Sequence, residues 1–445
     1  MEHNIPTNDR RTSLLVKNVL ASFVAKGWSA LVVLIMVPLT LSCLGSYKNG
    51  VWLTISSLLV WIDQMDVGLG NGLRNALATH IARAEGDKAR QVVSSTMAML
   101  ACIILPVFLI LALLVWTTDV YAFLNVDYQS IPELRVSLLC AVTLVCCTFV
   151  LKFIGNVYMG MQLPAMSNLI ITIGQTLALL ATWILLALGQ ATFINVVVAN
   201  TAAPLIAWLL AYPYTFFHRF PQLRPTRSAI NLSTALQQAN LGVRFFWLQL
   251  ASVIQFMTAN ILISRFFTPE MVTPYQIAYR YMNIMMVLFS VACMPFWNAT
   301  TDAYERGDMA WITKASRRMN MLVALIAVGI VLMTALSPWV YALWIGDACH
   351  VPLSMTALTG LYVLLLIVSM RYSYFLNGIG ALRLQLYMTV TAIIFIPLAW
   401  AVSSLTHNIA WFLAVMCLCN VPGIIVNIVQ FHKILKGKAT GIWRI

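Results

Sequence analysis

Runs of about 20 apolar residues, separated by short polar gaps, recur along the whole chain. This rhythm predicts membrane-spanning helices, because a helix needs about 20 apolar residues to cross a ~30 Å hydrocarbon core. Strands of a membrane barrel would instead alternate in segments of about ten and read as weakly hydrophobic. Twelve spans are predicted, at 18–43, 50–69, 92–116, 134–160, 166–188, 193–217, 239–264, 274–300, 319–344, 354–379, 384–404 and 409–430. The longest gaps, 70–91, 117–133, 218–238 and 301–318, hold no soluble domain. Met1 to Lys17 is polar and the apolar run behind it is long enough to span, so a cleavable signal peptide is not expected. The fold class expected is an all-α integral membrane protein of about twelve transmembrane helices.

Composition agrees with that pattern. Of 445 residues, 61% are hydrophobic and 9% charged, whereas soluble domains carry about 25% charged residues. The mean hydropathy is +0.86. The net charge of +13 would suit a nucleic-acid partner, but its distribution points to the membrane. Inner loops of membrane proteins collect Lys and Arg. With the N-terminus inside, the inner segments hold nineteen cations and the outer ones only Lys48, Arg135 and Arg265. Both termini are therefore expected in the cytoplasm, and no nucleic-acid partner is needed to explain the basic balance.

A repeat divides the chain. Ala82-Arg83-Ala84-Glu85-Gly86-Asp87-Lys88-Ala89 and Ala303-Tyr304-Glu305-Arg306-Gly307-Asp308-Met309-Ala310 both read Ala-x-x-x-Gly-Asp-x-Ala, 221 positions apart. At nearly the same offset Lys26 matches Arg244, Lys152 matches Arg371 and Gly160 matches Gly380. Two parallel six-helix bundles are expected, residues 1–217 and 239–445, joined by a cytoplasmic linker at 218–238. Repeats related by an axis along the membrane normal are a transporter architecture, with the substrate site between the halves.

The remaining five cations, Lys26, Lys152, Arg244, Arg280 and Arg371, fall inside spans. A cation at mid-span costs about 2.5–3.5 kcal/mol on insertion scales, so it usually faces an interior or a water-filled cavity. Arg244 and Arg280 lie near enough to span ends for snorkelling to stand level with a cavity role. Lys26, Lys152 and Arg371 are roughly 12 Å in at 1.5 Å per residue, which favours the cavity. Polar neighbours share their helix faces: Ser22 and Ser29 with Lys26, Asn156 with Lys152, Gln276 and Asn283 with Arg280. Only Asp63 and Asp66 stand in or near spans to offset them. A cavity with surplus positive charge attracts an anion such as phosphate, pyrophosphate or carboxylate.

Other chemistry is missing from the sequence. There is no Gly-x4-Gly-Lys-Ser/Thr loop, no His-Glu-x-x-His and no Cys-x-x-Cys. No metal or enzymatic role is expected. Seven of the nine cysteines lie in apolar runs, and Cys43 and Cys349 near span ends leave a disulfide open.

The stretch Asp66-Val67-Gly68-Leu69-Gly70-Asn71-Gly72 resembles the Asp-x-Gly-Leu-Gly-Asn-Gly signature at the inner end of span two in Wzx-type polysaccharide flippases. Gly45 to Trp52 is similar to their first outer turn, with Asn49 where a tyrosine is common. Phe245-Phe246-Trp247-Leu248-Gln249, Tyr275 to Arg280, Pro295 to Ala299, Trp344-Ile345-Gly346 and Asn377-Gly378-Ile379-Gly380 extend the resemblance over nearly the whole chain. It implies a multidrug/oligosaccharidyl-lipid/polysaccharide exporter fold in a bacterial inner membrane. It implies alternating-access transfer of undecaprenyl-pyrophosphate-linked oligosaccharide units from the inner to the outer leaflet, as in O-antigen, capsule or lipopolysaccharide assembly. Lys26, Lys152, Asn156, Arg244, Arg280, Asn283 and Arg371 are the candidate substrate residues. Proton or sodium coupling is also implied, with Asp63 and Asp66 as candidate carboxylates. A polysaccharide polymerase or chain-length protein is the kind of partner implied. The alternatives are a multidrug exporter of the same fold, which would want a carboxylate-rich cavity, a membrane glycan polymerase or ligase, which would want larger outer loops, and a structural membrane subunit, which would leave the buried cations unexplained.

Overall fold

A computed structural model of the chain describes residues 8–63, 69–234, 236, 258–379, 381, 383–388 and 390–443. Among the described residues the regular structure is helical. The helices are α1 (Asn8–Asp63), α2 (Leu69–Ala82), α3 (Gly86–Thr117), α4 (Val120–Leu124), α5 (Leu134–Leu151), α6 (Phe153–Gly160), α7 (Pro164–Ala187), α8 (Phe193–Pro213), α9 (Pro269–Glu305), α10 (Met309–Trp344), α11 (Leu353–Ile379), α12 (Arg383–Met388), α13 (Val390–Thr406) and α14 (Ile409–Leu435). Residues 258–266 add a further helical segment.

Eight helices among the described residues are long and apolar enough to cross a membrane. The apolar stretch of α1, Val24–Ile62, counts as one of them at 39 residues, about twice what a bilayer needs. It covers most of two predicted spans, 18–43 and 50–69. The break between them is Gly45, at φ 69° and ψ 171°, a conformation open to glycine and strained for any side chain. The span predicted at 134–160 is one apolar stretch, Leu134–Gly160, in which α5 and α6 meet at Lys152 with the backbone still right-handed helical. The span predicted at 239–264 lies mostly outside the described residues. All nine cysteines are free thiols.

The chain forms two compact units, Met1–Gly45 with Leu58–Phe246 and Ser46–Ser57 with Trp247–Ile445. A cut in the 218–238 linker assigns all of α1 to the first half; by contacts, Ser46–Ser57 belongs with the second. The linker itself is strapped to α3 in the first unit. Arg90 Nε donates to the Gln222 carbonyl at 2.8 Å, and the Thr226 and Asn231 amides donate to the Ser94 and Ser95 hydroxyls at 3.1 and 2.8 Å. Those bonds give Ser94 and Ser95, both buried, the partners that buried polar groups require.

Each unit uses the same set of helix neighbours. In the first, α2 packs on α3 and α6, α3 on α5, and α8 on α5 and α7. In the second, α9 packs on α10 and α11, α10 on α11, and α14 on α11 and α13. Small residues permit the close approaches. A Cβ on Gly160 would lie 3.1 Å from the Arg74 carbonyl oxygen of α2. In the second unit the Thr301 hydroxyl of α9 donates to the Gly378 carbonyl of α11 at 2.9 Å.

The repeat motif marks equivalent turns, but its register shifts. In both turns the helix ends with an amide reaching back five residues, Glu85 to His80 at 2.9 Å and Asp308 to Ala303 at 2.8 Å, a Schellman-type closure. The left-handed residue inside it is Ala84 (φ 56°) in the first turn and Gly307 (φ 72°) in the second. The structural offset is thus 223 rather than the 221 of the motif, and Gly86 starts α3 instead of closing the turn. Ala84 is exposed, so its methyl group contributes strain without packing. Ala84→Gly should therefore raise stability by about 0.5–1 kcal/mol, read as a higher thermal midpoint in detergent. In the same turn Glu85 accepts from Lys88 at 2.9 Å and pairs with His80 at 2.6 Å, which holds its carboxyl below the usual range.

Candidate functional site

The sequence-derived candidates divide between the two units. In the first, Lys26 is on α1, with an exposed side chain. The turn that carries it is anchored to α7: the Thr172 hydroxyl donates to the Ala25 carbonyl at 3.2 Å, Trp28 Nε1 donates to the Thr176 hydroxyl at 3.0 Å, and the Ser29 hydroxyl donates to Gln175. Lys26 thus projects from a fixed backbone. Lys152 sits where α5 and α6 meet, half-buried, with Nζ 5.0 Å from the centre of the Phe149 ring. Proximity of an ammonium to an aromatic face is favourable and becomes more so with desolvation. Asn156 follows one turn later on α6, half-buried.

In the second unit Arg371 on α11 is 3% exposed. One terminal nitrogen donates to the Ser316 hydroxyl at 2.7 Å and to the Ser316 carbonyl at 3.2 Å on α10. Its guanidinium lies 4.0 Å from the Tyr372 ring centre, and its Nε has no hydrogen-bond partner among the described residues. Arg280 and Asn283 on α9 are half-buried, and the Asn283 Oδ1 is buried without a partner among the described residues. The described ion pairs are His80–Glu85, Lys88–Glu85 and Arg306–Asp302, all at helix ends near the Lys/Arg-rich loops. Among the described residues, none involves Arg280 or Arg371. Arg244 and Asp66 lie outside the described residues, as does the side chain of Asp63.

A polar ladder that the sequence reading missed joins Ser46–Ser57 to the rest of the second unit. The Thr273 hydroxyl donates to the Ser46 carbonyl at 2.7 Å, and Asn49 Nδ2 donates to that hydroxyl at 3.3 Å. Asn260 Nδ2 donates to the Leu53 carbonyl at 3.2 Å and its Oδ1 accepts from Gln276 at 2.7 Å. Between these rungs a Cβ on Gly50 would sit 1.8 Å from the Pro269 carbonyl oxygen, so the two backbones touch. The available signal was Asn49, the residue that departs from the family turn, and Asn260, a lone amide in an apolar run. Buried Gln430 on α14 was also missed; neither end of its amide has a hydrogen-bond partner among the described residues.

No protein-family model matches the chain, and neither does any curated protein. Solved structures do match. An inward-facing multidrug resistance MATE family transporter of the MOP superfamily superposes with a TM-score of 0.77 at 15% identity, covering 93% of this chain and 96% of the other. The chain has the fold of these MATE transporters. A MATE structure in its straight conformation gives a TM-score of 0.62 at 15% identity over 95% and 96%. An outward-facing MATE transporter gives 0.57 at 14% over 94% and 97%. In this chain the MATE-type fold carries cations inside its helices, and the described metal-capable side chains form no cluster of three.

Proposed function

We propose that this protein moves undecaprenyl-pyrophosphate-linked oligosaccharide units from the inner to the outer leaflet of a bacterial inner membrane by alternating access. It does so with about twelve spans and both termini in the cytoplasm. One observation carries the reading: Arg280 and Arg371 are held inside apolar helices with no carboxylate partner among the described residues. A desolvated cation without a counter-ion is a standing attraction for an anionic head, and guanidinium suits pyrophosphate oxygens. The lipid tail remains in the bilayer while the head crosses. Lys26, Lys152, Asn156, Asn283 and Arg244 are assigned to the same task, and Asp63 and Asp66 to ion coupling. A polysaccharide polymerase or chain-length protein is the proposed partner class.

The second reading, a drug exporter, has support from the MATE transporters that share the fold. Its cationic cargo would meet the wrong sign of charge at Arg280 and Arg371. Thermal unfolding of the detergent-solubilised chain separates the two. Undecaprenyl pyrophosphate at 100 times its dissociation constant should stabilise the protein by about 2.7 kcal/mol, while tetraphenylphosphonium should have no effect. Stabilisation by the cation alone would favour the exporter.

A further inference from the structure

The first unit contains an apolar cavity of about 360 Å³, within the ~300–1,000 Å³ range of small-molecule sites. Its walls are Leu59 and Ile62 of α1, Leu114 of α3, Phe123 of α4 and Leu138 and Val142 of α5. Thr118, at the α3 terminus, also lines it. We infer that this cavity is a binding site for one acyl chain of a zwitterionic glycerophospholipid, with the lipid phosphate on Arg135. None of the described residues assigned above to transport lines it.

Three features support that occupant. The wall is a helical surface with almost no hydrogen-bonding groups, so water gains nothing there, whereas a hydrocarbon chain removes apolar area from solvent. Leu114 is 47% exposed and Phe123 54% exposed, while Leu59, Ile62 and Val142 are buried. The site therefore runs from an accessible rim to a closed floor, as an inserted chain requires. At the rim stands Arg135, half-buried, whose guanidinium donates to the carbonyl of cavity-lining Thr118 at 3.2 Å and whose Nε is buried without a partner among the described residues. A phosphate oxygen satisfies that orphan donor. An unmatched buried donor is otherwise a penalty of about 1–3 kcal/mol.

The charges around the rim select the head. Asp119 caps α4 through the Tyr121 and Ala122 amides, at 3.1 Å each, and Glu133 precedes α5. Arg135 together with acidic Asp119 and Glu133, which adjoin Thr118 and Leu134 in the chain, matches a phosphate that carries its own ammonium group. It repels a head with net negative charge. The small helix is itself well fixed, with Asp119 at its start and Asn125 in the left-handed conformation at its end.

The test uses the full chain in nanodiscs and phosphatidylethanolamine carrying a photoreactive diazirine on one acyl chain. Labelling should concentrate on peptides from 111–124 and 134–142. Leu114→Trp, which fills the cavity from its exposed rim, should reduce it at least fivefold. Arg135→Gln should abolish the preference for phosphatidylethanolamine over diacylglycerol. Label spread equally over the exposed faces of α3, α7 and α10, unchanged in both variants, would overturn the inference. Preferential labelling by phosphatidylglycerol would overturn the choice of headgroup.

Discussion

Gly50→Ala is expected to destabilise the protein by about 3 kcal/mol, although alanine is the better helix former. In a helix interior the substitution normally gains about 1 kcal/mol. Here the new methyl carbon would lie 1.8 Å from the Pro269 carbonyl oxygen and 2.7 Å from its carbon. Both are backbone atoms in the first turn of α9, so no rotamer change relieves the clash. The strand of helix at Ser46–Ser57 must move away, and three rungs go with it: Thr273 to Ser46, Asn49 to Thr273 and Asn260 to Leu53. At about 1 kcal/mol per hydrogen bond, their loss and the overpacking exceed the propensity gain. A proximity measurement reports the same event. The Ser46 hydroxyl lies 3.9 Å from the Cys349 sulfur, so Ser46→Cys, with Cys43→Ser to remove a competing thiol, should cross-link to Cys349 under mild oxidation. Adding Gly50→Ala should reduce that yield. An unchanged yield together with a higher melting temperature would mean that the close approach at Gly50 is not part of the folded state.

The second large effect is a pair of opposite signs at Arg371. A buried charge with neutral partners pays for desolvation that two bonds to Ser316 and the Tyr372 ring offset only in part. Arg371→Met keeps the length and apolar volume of the side chain, and Ser316 can turn its hydroxyl to its own helix. Stability should rise by about 1 kcal/mol while transport falls at least tenfold. Residues kept at the expense of stability are the expected signature of function. A fall in melting temperature with transport intact would make Arg371 a structural tie between α10 and α11.

The parts of this architecture that were legible in the sequence depend on one helix at a time. Apolar run length located the long helices, and the Gly45 break lies in the gap between the first two predicted spans. The paired turns announced the repeat, because a helix that must stop leaves a polar, glycine-bearing trace. The register of that repeat was less legible: Gly86 looks like the closing glycine, but Ala84 takes the left-handed position. What depends on a facing helix was not legible at all. Nothing in the sequence around Asn49 or Asn260 says that the two hold Ser46–Ser57 to the second unit. Nothing around Arg371 says that Ser316, 55 residues earlier, receives its guanidinium.

The most direct test of the central claim is the flipping rate of a labelled undecaprenyl-pyrophosphate oligosaccharide in proteoliposomes, compared for the intact chain, Arg280→Gln and Arg280→Lys. Arg280 is suited to this because it lies half-buried on the face that also carries Gln276 and Asn283. Loss of a charge-assisted contact worth about 1.5–3 kcal/mol should slow flipping tenfold or more in Arg280→Gln, while Arg280→Lys retains the charge and most of the rate. Equal rates in the intact chain and Arg280→Gln, with both folded, would contradict the cationic route for the lipid head.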